Sequence, residues 1–165
     1  MIRYVLTLGC ALVAPMAALA YQASVRVEPP QLMGSRQVEK QTQAAVIRDY
    51  LQSWKSFRAA FDQNQVALLD PDFVGVAHDK LEQAIEDQAK LGIHTNYQDK
   101  SHDLQLVFYS PEGMSLQLID NVVYDEQVLD HEKVLAVKQV QARYVVVLTP
   151  SDVRWKVRIF QSAAE

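Results

Sequence analysis

Cysteine is almost absent from this sequence. Its single copy, Cys10, falls in the apolar opening stretch, so the rest of the chain has no thiol for a disulfide, a zinc–thiolate site, an iron–sulfur cluster or a cysteine nucleophile. Glycine is scarce as well, at 5 of 165 residues, and neither a phosphate-binding glycine loop nor a serine elbow occurs. The 4 histidines, His78, His94, His102 and His131, show no pair spaced as metal ligands on one helix, so no metal and no cofactor is expected. Positive charge is not in excess: the formal net charge is −4, which argues against nucleic-acid binding, since that needs a dense basic surface. What remains is ordinary globular material, 49% apolar and 22% charged, enough for one domain stabilised by its own core.

The opening is the most informative stretch. Arg3 precedes an apolar run, Tyr4 to Leu19, broken by Pro15 and closed by Ala18-Leu19-Ala20. This is the pattern of a cleavable signal peptide over residues 1–20, cut before Tyr21. The run is too short and too alanine-rich for a membrane span, which needs ~20 apolar residues. The expected location is the periplasm or the exterior, with an uncleaved membrane anchor as the alternative. Residues 21–36, polar and carrying Pro29-Pro30 and Gly34-Ser35, read as a flexible spacer. Residues 37–165 read as a single domain.

Within that domain the apolar period is first helical. Ile47, Tyr50, Leu51, Trp54, Phe57 and Phe61 recur at spacings of three and four and predict a long helix over 37–64. Asp70-Pro71 predicts the start of a second helical region, in one or two pieces, that stops at Gly92. The period then becomes two. Leu104, Leu106 and Phe108 alternate with Gln105, Val107 and Tyr109, turn through Ser110-Pro111-Glu112-Gly113, and return as Met114, Leu116 and Leu118. A loop at Asp130-His131-Glu132 leads into Ala142, Tyr144, Val146 and Leu148, and Thr149-Pro150-Ser151-Asp152 turns into a last strand. There Trp155, Val157 and Ile159 are expected on one face and Arg154, Lys156 and Arg158 on the other. Helices followed by an antiparallel meander give an α+β class, with the helices packed on a curved sheet.

This order of elements resembles the nuclear transport factor 2-like superfamily. The resemblance rests on the helix Val46–Phe61, the helical region ending at Leu91-Gly92, and the closing Ala142–Leu148, turn, Arg154-Trp155-Lys156-Val157. It is closest to exported, non-enzymatic members. It implies a sheet wrapped around the long helix, with a conical cavity or a protein-binding sheet face. The superfamily also contains isomerases and dehydratases, so the fold alone selects no function.

One carboxylate stands out. Continuing the alternation of Met114, Leu116 and Leu118 places Asp120 on the apolar face. A hairpin loop at Pro111–Gly113 then sets Phe108 opposite Leu116, Leu106 opposite Leu118 and Leu104 opposite Asp120, with His102 diagonally across. Such a pair could act as a general base with Tyr50 or Tyr144 as hydrogen-bond donor. A one-residue slip would instead turn Asp120 to solvent. Tyr50, Trp54, Tyr144 and Trp155 are the aromatics that would line a cavity, or else form plain core. Arg154, Lys156 and Arg158, joined by Arg143, would form a basic face, for an anionic ligand or simply solvated.

The expected function is therefore an exported binding or protein-interaction module of the cell envelope. Its partner would be a protein or a small apolar or anionic ligand, and a homodimer could bury Val145 and Val147 of the sheet face. A lyase or isomerase using Asp120 and His102 is the alternative.

Overall fold

The computed structural model describes residues 23–34 and 36–163; the expected signal peptide lies outside the described residues. The elements run β1 (Ser24–Val27), α1 (Lys40–Gln63), a 3-10 turn (Val66–Leu69), α2 (Gly75–Lys90), β2 (His94–Tyr109), β3 (Leu116–Asp130), β4 (Lys133–Pro150) and β5 (Trp155–Ser162). No described helix is long and apolar enough to cross a membrane. The five strands form one curved sheet in the order β1-β2-β3-β4-β5, with both helices on it. β2 to β5 are the expected antiparallel meander, while β1 adds to β2 in parallel.

The long helix forms where its periodicity placed it. Val46, Tyr50, Trp54, Phe57 and Phe61 are all buried against the sheet, and Asn64 ends the helix in the left-handed region at φ 52°. Gly92, at φ 71°, provides the turn after α2.

Three readings need correction. Residues 24–27 lie in the supposed spacer but pair with β2, and the N–H groups of Glu28, Gln31 and Met33 continue along it to the carbonyls of Leu104, Leu106 and Val107. A strand edge leaves backbone groups unsatisfied, so even a polar segment gains by lying there. Second, Asp70-Pro71 does not open α2, which starts at Gly75. The intervening residues are held by β5: Val74 N–H donates to the Val157 carbonyl at 2.9 Å and Val157 N–H to the Asp72 carbonyl at 2.8 Å. Third, a bulge at Arg158 puts Phe160, not Ile159, on the core face with Val157.

The four cations of the expected basic face have separate surroundings. Arg154 pairs with Asp72 at 2.9 Å, and the Lys156 ammonium donates to the Asp70 carbonyl at 2.9 Å. Arg158 is the bulge residue, and Arg143 sits beside Ala163, five residues farther along the chain. The four cations make no single stripe.

Asp72 is 1% exposed and also accepts from the Ser56 hydroxyl at 2.5 Å. It ties α1 to β5 through charge-assisted bonds. Asp72→Ala is expected to cost about 2 kcal/mol and to lower the melting temperature by about 4 to 8 °C, read by circular dichroism.

Candidate functional site

The strand alternation that pointed Asp120 inward holds: Asp120 has no exposed surface. A bulge at Val107 shifts the end of the hairpin, so that Tyr109, not Phe108, faces Leu116. Beyond the bulge Leu106 faces Leu118 and Leu104 faces Asp120, as expected. His102, 2% exposed, then reaches diagonally to Asp120, its Nδ1 at 2.8 Å from Oδ2.

Helix α1 supplies the rest. Tyr50 projects from it and donates its hydroxyl proton to the same Oδ2 at 2.7 Å, while Trp54, one turn on, donates its indole N–H to the Tyr50 oxygen at 2.8 Å. The i, i+4 spacing of Tyr50 and Trp54 makes this relay a property of the helix surface. The Trp54 ring stands edge-on to the His102 ring at 5.0 Å and also packs on Tyr124, Tyr144 and Phe160.

Sequence reasoning missed the other end of the network. Asp99, 5% exposed, places Oδ2 3.6 Å from His102 Nε2 and accepts from Arg58 at 2.6 Å. Simple alternation would turn residue 99 away from the face that carries 102 and 104. A bulge at Lys100 reverses the parity and brings Asp99 inward with Tyr97 and Thr95. Nothing in one sequence marks that bulge.

The order of groups is carboxylate, imidazole, carboxylate, guanidinium. Burial by itself lowers the basicity of His102, but the hydrogen bonds to Asp120 and then Asp99, reinforced by their charges, overcome it and raise the pKa to about 9. His102 is therefore an imidazolium at neutral pH. Tyr50 is pushed well above its usual range, first by burial and then by the Asp120 charge. Tyr144 is raised too, chiefly by burial. Asp120 Oδ1 and Asp99 Oδ1 are buried without a hydrogen-bond partner among the described residues.

Tyr144 lies opposite Asp120 in the β3–β4 ladder and against Trp54, but makes no hydrogen bond to the carboxylate, and Trp155 lies apart. Tyr144 stacks on Phe160, with centroids 4.4 Å apart, and its hydroxyl lies 3.4 Å from that of Tyr124. Trp155 lies against Tyr109, and its backbone N–H donates to buried Asp49 at 2.9 Å. Tyr50 and Trp54 are core residues, and an open groove of about 580 Å³ is lined instead by Arg48, Asp49, Leu51, Gln52, Lys55, Val153 and Arg154.

His78, Asp79 and Glu82 could each offer a metal one ligand atom, all within 4.8 Å. His78 is already engaged by Asp70 at 2.9 Å, and ordinary ion pairing on a helix surface accounts for the group. His131 lies in the β3–β4 turn at φ 52° with its ring on Asp130.

No protein-family model matches the chain, and no curated protein matches it in sequence. Solved structures do match in shape. The intermembrane-space region of the chloroplast protein ARC6 superposes with a TM-score of 0.61 at 14% identity, over 79% of this chain and 100% of that one. A putative scytalone dehydratase from Novosphingobium aromaticivorans DSM 12444 superposes at 0.52 and 11% identity, over 76% of this chain and 89% of that one. The Kfla4162 protein from Kribbella flavida gives 0.52 at 8% identity, over 74% and 92%. At such identities the likeness is one of architecture, and with the long helix held in the curved meander it shows that the chain has the nuclear transport factor 2-like fold.

Proposed function

We propose that this protein is a non-catalytic binding or interaction module, exported to the cell envelope by the leader of residues 1–20. The observation that carries the reading is the state of the would-be catalytic pair. Asp120 Oδ2 already accepts from His102 and Tyr50, its Oδ1 is buried with it, and the hydrogen bonds to two carboxylates favour the protonated, non-basic form of His102. A general base needs a free lone pair that a substrate can reach. Here the carboxylate and imidazole are 0% and 2% exposed, and three grooves formed by the described residues are lined by other side chains. The network is read as internal scaffolding that fixes α1 on the sheet.

A generic base probe tests this. Ring opening of 5-nitrobenzisoxazole reports any accessible carboxylate or imidazole base. The full chain is expected to accelerate it no more than acetate at matched carboxylate concentration, and Asp120→Asn to match the wild type. An Asp120-dependent acceleration on the order of 100-fold would sink the proposal.

The convergence of Asp120, His102 and Tyr50 favours a second reading, a lyase or isomerase of a small molecule. A putative scytalone dehydratase shares the fold. That reading requires the core around Trp54 to open, and the same probe reaction decides between the two.

A further inference from the structure

We infer that the outer edge of β4, residues 133–140, is a docking edge onto which an extended, acidic segment of a partner protein adds as a further strand. The inference rests on the reading of the protein as an interaction module and names its surface and partner chemistry.

β4 is much longer than its neighbour. β5 pairs with it only from Tyr144 to Pro150, and the described chain leaves it with Ala163 N–H donating to the Arg143 carbonyl at 2.7 Å. From Lys133 to Val140 the strand is paired with β3 on one side, and among the described residues nothing pairs on the other. Backbone direction alternates along a strand. Since the Arg143 carbonyl points outward, Val137 and Gln139 also aim their N–H and C=O groups at the open side. An edge of this kind is where extended peptides add.

The side chains of the edge suit a partner more than they suit water. Val134, Leu135 and Val137 are 49%, 51% and 59% exposed. Over residues 133–143 the sequence KVLAVKQVQAR carries three cations and no acid. Lys138 is taken by Glu126 at 3.2 Å. Lys133 and Arg143 form no ion pair among the described residues and lie ten positions apart, about 33 Å along an extended strand.

This charge pattern selects the occupant. A second copy would bring to this edge the same sequence, rich in cations and without an acid, and so would answer neither Lys133 nor Arg143. The bulge at Leu135 further resists flat edge-to-edge pairing. An incoming strand with acidic residues near its two ends and apolar residues between them answers both the free cations and the exposed valines.

The experiment uses the full chain and a labelled synthetic peptide of alternating Val and Thr with Glu at both ends. A matched peptide with Lys at both ends is the control, and binding is read by fluorescence anisotropy at low salt. Saturable binding about tenfold tighter for the Glu peptide is expected. Val137→Pro, which removes an outward N–H while leaving the β3 ladder intact, is expected to weaken it at least as much. Lys133→Glu with Arg143→Glu is expected to reverse the peptide preference, and keeps the test valid where the proline variant does not fold.

Equal binding of the two peptides, or no binding at millimolar concentration, overturns the inference. So does a dimer in sedimentation that Val137→Pro dissolves, since it would make a second copy the occupant. Any of these results together with a silent base probe leaves the module reading standing and removes only this edge.

Discussion

Asp120→Ala is expected to destabilise the protein by roughly 3 to 5 kcal/mol, the range for removing one partner of a buried ion pair. The substitution leaves the His102 imidazolium facing a void and strips the Tyr50 hydroxyl of its acceptor, in a core with no exposed surface at this position. Equilibrium urea denaturation measures the loss, and a value under about 1 kcal/mol, the range of surface pairs, would contradict the scaffold role. A second variant separates charge from packing. If the network acts only as scaffold, His102→Leu combined with Asp120→Leu should recover at least half of the single-variant loss, because an apolar pair of similar volume needs no desolvated charge. The two sites touch, so their effects are expected to be strongly non-additive.

Stability should also fall as the solution becomes alkaline, over a window set by His102. Its folded pKa is about 9, against about 6.5 for an unperturbed histidine in the unfolded chain. A group whose pKa is raised on folding stabilises the native state fully below its unfolded value. That contribution is lost as pH climbs through the folded value. The difference corresponds to on the order of 3 kcal/mol, present at about pH 6 and gone near pH 10. His102→Gln is expected to start less stable and to show a much flatter profile over the same range. A wild-type stability that is level from neutral to alkaline pH would show that the imidazolium between Asp99 and Asp120 is not maintained. An imidazole NMR titration with a midpoint near the ordinary histidine value would show the same.

Both expectations depend on a site that was half legible in the sequence. Asp120 could be placed inward because Leu116 and Leu118 precede it at period two, and period two is a direct consequence of strand geometry. Its register to Leu104 followed from the hairpin, and the bulge at Val107 changed only the pairs nearest the turn. Tyr50 and Trp54 belonged to the helical stripe. Asp99 and Arg58 could not be found in the same way, because the bulge at Lys100 inverts the side of every residue before it. A similar bulge at Arg158 brought Phe160 rather than Ile159 to the core face. An insertion of one residue in a ladder leaves no compositional trace, yet it exchanges inside for outside.

Local pattern by itself determined the class of fold, the long helix with its aromatic stripe, the meander and the inward carboxylate. Each of these follows from a periodicity written into neighbouring residues. Only the tertiary structure decided that residues 24–33 lie along β2, that α2 waits until Gly75, and that Asp120, His102, Asp99 and Arg58 close into one charge-alternating network. Those outcomes arise between segments far apart in the chain, where an unpaired backbone edge, a bridge to β5 or a buried charge finds its partner. The need for that partner is local, but its identity is set by the folded arrangement.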